Sequence, residues 1–260
     1  MKRYASALVA AFLAVGACGT IWAQAEVSEV APDARPNQTT IMALFFGPKA
    51  NAPFTATAKT IAVRILPDGS TVTTWNQRTV ARDMDGRIFQ ERRWLVPNDG
   101  KREPTVRVLE YTDPVAHTMY SCIPNEKVCN LGSYFVPQSF PMLPEGLQRD
   151  GTTFLTRENL GVETFEGLDV QHSRETFTFY KETIGNTNTI LRVVEYWYSP
   201  QLGIDVKVTR HDPRDGDQTL WLTDISLTAA DPATFQVPDD YRIFDRRARQ
   251  LNRDTGSIPQ

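Results

Sequence analysis

The sequence predicts an all-β protein, one domain built as a single antiparallel meander of about ten to eleven strands with few helices. Three observations carry this. Runs that alternate apolar and polar residues recur along most of the chain. The connections between them are short and hold turn residues, as in Pro67-Asp68-Gly69-Ser70 and Asp83-Met84-Asp85-Gly86. No long stretch shows the 3.6-residue period of an amphipathic helix.

Taken in order, Ile41 to Phe46 is a short apolar piece that reads as a helical turn or a first strand. Ala56 to Leu66 puts Ile61, Val63 and Ile65 on one face, alternating with Thr60, Ala62 and Arg64. Thr71 to Arg82 and Arg87 to Val96 follow across the two turns, then a polar loop from Asn98 to Pro104. Val106 to Thr112 and His117 to Ile123 flank Asp113-Pro114. Phe135 to Gly151 carries Pro137, Pro141 and Pro144 with Phe140, Met142 and Leu143; it reads as irregular and unusually apolar for a loop, and Phe135 to Leu147 within it as a candidate lid. Strands resume at Thr153 to Asn159, Leu168 to Tyr180, Ile190 to Tyr198, Ile204 to His211 and Thr219 to Thr228. In the fourth of these, Ile204, Val206 and Val208 alternate with Asp205, Lys207 and Thr209, which gives one wet face.

The first 25 residues read as a secretory signal: Lys2 and Arg3, an uncharged apolar run from Ala5 to Ala17, and the small-x-small cleavage pattern Ala23-Gln24-Ala25. A rival cut uses Val15-Gly16-Ala17-Cys18, a lipobox that would leave Cys18 acylated. Either cut exports the chain, to the periplasm or to the outer membrane. The run is too short to span a bilayer comfortably, so no transmembrane span is expected. The remainder divides into a leader over residues 26–50, a β domain over 51–245 and a flexible polar tail over 246–260.

The full chain has 28 basic and 31 acidic side chains; loss of Lys2 and Arg3 leaves a mature net charge of −5. Nothing there would neutralise a nucleic-acid backbone, so no nucleic-acid partner is expected. Export also permits disulfides. Between Cys122 and Cys129, Pro124-Asn125-Glu126-Lys127 reads as a hairpin turn; pairing Ile123 with Val128 sets the cysteines opposite each other within bonding reach. The bridge closes a short loop and contributes about 2 kcal/mol.

The search for chemistry is nearly empty. His117, His172 and His211 stand on or beside different strands with no metal-ligand spacing, and neither a G-x-S-x-G elbow nor a phosphate loop occurs. Asp212 to Asp217 reads as a hairpin turn rather than a calcium loop. Glu91, Glu110, Glu175 and Glu195 are expected to form cross-strand ion pairs with Arg92, Arg93, Arg107 and Arg192. No catalytic residue, cofactor or metal is assigned. The strand aromatics are more informative, since an apolar sheet face must be covered or must line a cavity. The candidate lining residues are Ile61, Val63, Trp75, Trp94, Phe177 and Phe179, together with Trp197, Val206 and Trp221.

The order of motifs points further. Glu110-Tyr111-Thr112-Asp113-Pro114 with Tyr120, Gly161 to Val170, and Glu195-Tyr196-Trp197-Tyr198-Ser199-Pro200 with Leu202-Gly203-Ile204 come first. Leu222-Thr223-Asp224-Ile225, Asp231-Pro232-Ala233-Thr234-Phe235 and Val237-Pro238-Asp239-Asp240-Tyr241 complete the series. Over roughly residues 55 to 245 this order resembles the LolA/LolB-like lipoprotein-carrier superfamily, and a group of secreted proteins of acidobacterial type related to it. The resemblance implies a strongly curved sheet, a half-open barrel whose concave apolar face holds acyl chains; relatives include RseB-like periplasmic sensors. The chain departs from the carriers in having almost no helix with which to plug the half-barrel. The implied function is a non-catalytic envelope protein that binds a lipid or other hydrophobic ligand. The alternatives are an RseB-like interaction or sensor module for an envelope protein partner, and an envelope hydrolase, which would need a glutamate pair with His172 or His211 in a cleft.

Overall fold

The computed structural model describes residues 42–135 and 142–247, and the segment read as a signal, Cys18, most of the expected leader and nearly all of the expected tail lie outside them. The first half of the domain holds β1 (Phe54–Ile65), β2 (Thr71–Arg82), β3 (Ile88–Arg93), β4 (Val96–Pro97), β5 (Val106–Asp113), β6 (Thr118–Ile123) and β7 (Val128–Ser133). The second half holds β8 (Gly146–Leu147), β9 (Thr153–Phe165), β10 (Leu168–Phe179), β11 (Ile190–Ser199), β12 (Ile204–Asp212), β13 (Gly216–Ser226) and β14 (Arg242–Asp245). Helical structure among the described residues is limited to 3-10 turns at Pro124–Glu126 and Pro232–Phe235. No helix there is long and apolar enough to cross a membrane.

All fourteen strands form one curved, unclosed sheet in the order β14-β7-β6-β5-β3-β2-β1-β13-β12-β11-β10-β9-β8, with β4 beside β2. The meander is therefore walked in two legs. It runs outward from β1 to β7, restarts at the opposite edge with β8, and returns to close on β1 through β13, Ala58 opposite Leu222. Every pairing is antiparallel except β14 with β7, which is parallel and places Ile243 beside Cys129. The strands beyond the expected count are β4, β8 and β14, of two to four residues, too short to show an alternating pattern.

The period of β1 is as expected, but its phase is reversed. Phe54, Ala56, Ala58, Thr60 and Ala62 are buried, Ile61 and Val63 are half-buried, and Ile65 is exposed. The reason lies in the residues before β1, which are neither a strand nor a helical turn. Leu44 and Phe46 join Ala56 and Ala58 in the main core, and the Met42 N–H donates to Gln218 Oε1 at 2.9 Å. The small side chains of β1 leave room for this strap to lie on the sheet. The same inner face continues through Val80, Ile88, Leu220, Val208, Val194, Phe177 and Leu155. On β12 the alternation holds, since Ile204, Val206, Val208 and Arg210 are buried, but Asp205, Lys207 and Thr209 are half-buried, so the face expected to be wet is only partly so.

A second, smaller core lies on the opposite face of the β3–β5–β6–β7 half. Tyr111, Cys122 and Cys129 pack there with Phe89, Leu109, Tyr120, Val237 and Tyr241, so the chain after β13 covers this side. The hairpin has the expected register, Ile123 opposite Val128 and Cys122 opposite Cys129, and the cysteines are bridged at a Cα separation of 4.0 Å.

Candidate functional site

A cleft of about 710 Å³ lies on the inner face where β8, β9, β10 and β11 run side by side. Its floor is Phe177 and Phe179 of β10, with Thr153 of β9; register sets Leu155, Phe177 and Arg192 in one row across three strands. Met142, Leu143 and Leu147 form its lip and are 75%, 53% and 63% exposed, an unusual run of apolar side chains in water. The lip is tied down by hydrogen bonds. Gln148 Nε2 donates to the carbonyls of Pro144 (2.7 Å) and Gly146 (3.0 Å). The Arg157 N–H donates to Glu145 Oε1 at 2.6 Å, and its guanidinium reaches the Leu143 carbonyl at 3.3 Å while pairing with Glu175. Asp150 accepts from the N–H groups of Thr152 and Thr153 and from the Thr153 hydroxyl; these bonds hold its carboxyl down at about 2 and fix the turn into β9.

Arginines gather around the Phe177 and Phe179 floor. Arg210 pairs with Asp215 at 3.0 Å, and Arg214 grips Asp212 at 2.9 and 2.8 Å while its guanidinium lies 4.4 Å over Phe179. Arg192 lies 3.9 Å over Phe177. Burial, with Arg214 and Arg210 nearby, lowers its pKa, and Asp212 opposes that. Of the expected cross-strand pairs, Arg92–Glu110 joins β3 to β5, whereas Arg93 pairs with Glu91 along β3 itself, and Glu175 and Glu195 take Arg157 and Arg174 across strands instead. Arg107 and Arg192 correct the expectation: neither has a carboxylate partner among the described residues, and each stacks on a ring, Arg107 at 4.5 Å from Trp94. An aromatic face beside a strand arginine competes with a solvated carboxylate, and the sequence gives no means of ranking the two.

Of the nine side chains expected to line a cavity, the cleft takes Phe177 and Phe179. Trp94, just past the end of β3, lines a separate pocket of about 320 Å³ with Arg107 and Arg92. Ile61, Trp75 and Trp221 line a narrow one of about 210 Å³. Val206 and Trp197 are in the core, and Val63 is half-buried opposite Thr73. Arg192, expected in an ion pair, is instead part of the floor, and Leu147 ends the apolar stretch that, with Met142 and Leu143, marks the place in the sequence.

His172 does meet two glutamates. Its ring stacks on Trp197 at 4.2 Å, with Nε2 at 3.2 Å from Glu195 and Nδ1 at 3.7 Å from Glu163, and Lys207 Nζ stands 4.0 Å from the centre of the Trp197 ring. Glu163 also accepts from the Trp197 indole N–H, and Glu195 from Arg174. These groups satisfy one another, and none of them lines the large cleft.

The architecture is thus that of an unclosed, curved β half-barrel with an apolar cleft at one end. Solved structures similar to the chain include MucB, at 12% identity and a TM-score of 0.36 over 74% of this chain and 59% of that one. They also include the MucA/MucB complex of Pseudomonas aeruginosa (10%, 0.34, 73% and 58%) and a LolA superfamily protein from Nitrosomonas europaea (9%, 0.28, 73% and 92%). The chain therefore spans less than two thirds of the length of MucB. The superfamily that the motif order resembles is among its structural neighbours. No protein-family model matches the chain, and no curated protein matches it.

Proposed function

We propose that the chain is a non-catalytic binding protein of the cell envelope that holds a lipid or other apolar ligand in the cleft between the Met142–Leu147 lip and the Phe177–Phe179 floor. The observation that supports this is the cleft itself: about 710 Å³, walled by apolar side chains of which Met142, Leu143 and Leu147 are left in water. That volume is in the range of sites that enclose small ligands. Each methylene buried there contributes about 0.8 kcal/mol. A hydrolase finds no support in the cleft: no histidine stands among the described lining residues, and the one hydroxyl–carboxylate pair, Thr153 with Asp150, is spent on the turn into β9.

The test is native mass spectrometry of the mature protein from an exporting host, followed by lipid extraction. Co-purifying acyl compounds near one per protein support the reading. A clean apo mass that persists after incubation with envelope lipids overturns it.

A second reading, a module that docks an envelope protein, is favoured by the edge of β9, which is largely unpaired among the described residues. β8 pairs only with Phe154 and Leu155, and farther along β9 Leu160 and Val162 are exposed. A Val162→Lys change blunts that edge without touching the cleft; loss of a partner in this variant, with ligand binding retained, would favour docking.

A further inference from the structure

We infer that the cleft selects a single-chain anionic amphiphile, a long-chain carboxylate, by seating its head group on Arg192. This rests on the ligand-binding reading above and adds the chemical class. The observation is an arginine in the wrong company. Arg192 lines the cleft among Met142, Leu143, Phe177 and Phe179, its Nε is buried with no acceptor, and it makes no hydrogen bond or ion pair among the described residues. A buried donor without a partner forgoes the hydrogen bond it had in water, so a protein that keeps one in a ligand-sized space keeps it where an acceptor can arrive.

Neighbouring charges do not supply that acceptor. Asp212 is held by both Nε and Nη2 of Arg214, and Asp215 by Arg210. Three guanidinium groups thus meet two carboxylates, and Arg192 is the one left over. Asp150, at the rim, spends its oxygens on Thr152 and Thr153. Glu175, two residues along β10 from Phe177, is taken by Arg157 and by the Tyr196 hydroxyl. The floor therefore presents one part-buried, unpartnered positive charge above aromatic rings, with apolar walls leading from it to the rim, where Arg149 is exposed to water.

A guanidinium stacked on a ring keeps its edge free, and that edge matches a carboxylate with two parallel hydrogen bonds. A single carboxylate matches the single charge at the floor, while the exposed Arg149 at the rim keeps its water. A space of this size suits one alkyl chain and its head better than a diacyl phospholipid, which is larger than the ligands such sites enclose.

The experiment compares three ligands of equal chain length, dodecanoate, dodecanol and dodecylamine, by calorimetric titration into the mature protein. Charge-assisted hydrogen bonds place dodecanoate roughly 10- to 100-fold tighter than dodecanol, with dodecylamine weakest. Arg192→Met keeps the stem against Phe177 and removes the charge; it should bring dodecanoate to the dodecanol level and leave dodecanol unchanged. Equal binding of acid and alcohol by the unaltered protein overturns the head-group assignment and leaves the apolar cleft standing. An Arg192→Met variant that weakens all three ligands alike assigns Arg192 a structural role only, and so also overturns it. Should Arg192→Met not fold, the comparison of the three ligands on the unaltered protein still decides. No binding of any of the three overturns this inference together with the reading it rests on.

Discussion

Arg82 donates from Nη2 to the main-chain carbonyl of Leu202, 2.6 Å away and 120 residues later in the chain. It is fully buried, faces the Phe54 ring at 5.0 Å, and also donates to the carbonyls of Ala52 and Gly47. One side chain thus joins the strap before β1, the start of β1 and the β11–β12 turn. Lys49, reaching the carbonyls of Pro200 and Gln201, reinforces the same junction. No carboxylate bonds to Arg82 among the described residues; burial lowers its pKa to about 10, so it stays charged at neutral pH and relies on carbonyl dipoles. Arg82→Met leaves three carbonyls without their donor and should destabilise the domain by about 3 kcal/mol or more. Urea unfolding followed by tryptophan fluorescence measures it; a loss under 1 kcal/mol would show that the junction holds by packing alone.

Gly216 opens β13 at a φ of +93°, where a Cβ would stand 2.1 Å from the Val63 carbonyl oxygen. Gly69, in the β1–β2 turn at φ +82°, would meet nothing within 4 Å. The pair separates two costs that usually come together. Gly69→Ala should cost about 1 kcal/mol from backbone strain, while Gly216→Ala adds a clash with the β1 backbone and should cost at least about 2 kcal/mol more. Equal thermal shifts for the two variants would mean that β1 and β13 part easily at this end.

The legible part of this fold was whatever repeats locally. Turns such as Asp83–Gly86, the Cys122–Cys129 register and the alternation of β12 follow from neighbouring residues and stand in the structure as read. The phase of β1 did not follow, because Ile61 and Val63 outrank Ala58 and Thr60 on any apolarity scale. What buries the smaller residues is a strap whose place is fixed by Arg82 and Gln218, both distant in sequence. The site shows the same division. The apolar stretch around Met142 and Leu143 announces itself, but the role of Arg192 depends on Asp212 and Asp215 being taken by other arginines. Competition among partners is a property of the assembled sheet, and no window of sequence contains it.

The disulfide links neighbouring strands at the end of the second core, where Cys129 also stands beside Ile243 of β14. Replacing both cysteines by alanine should cost about 2 kcal/mol, since the closed loop is short. The loss should first show in the β6–β7–β14 edge, and amide exchange that quickens there while β10 to β13 stay protected is the expected pattern. Uniform acceleration would mean that the two cores unfold as one.

Leu147 tests the cleft without testing the fold. It is 63% exposed in the lip, so Leu147→Asp should change stability by less than about 0.5 kcal/mol. Removing its apolar surface and adding a charge to the wall should weaken binding of an alkyl ligand at least roughly tenfold, the equivalent of about two methylenes left in water. Unchanged affinity for dodecanoate would place the ligand elsewhere on the sheet.

Asp205 sets a pH dependence whose direction can be worked out. Burial first, and the Glu175 carboxylate second, raise its pKa from 3.8 to about 6, and it makes no hydrogen bond among the described residues. Below about pH 4 the carboxyl is protonated whether the chain is folded or not, so it has no net effect. Between about 4 and 6 the folded chain holds a proton that the unfolded chain releases, and stability falls as pH rises. Above 6 the cost is complete. At a half-buried position solvent screening reduces it to on the order of 1–2 kcal/mol. Asp205→Asn should therefore stabilise the protein by that amount at pH 7 and by nothing below pH 4, with the two stability curves diverging between. A variant equally stabilising at pH 3.5 and pH 7 would trace the effect to packing of the amide instead of to the charge.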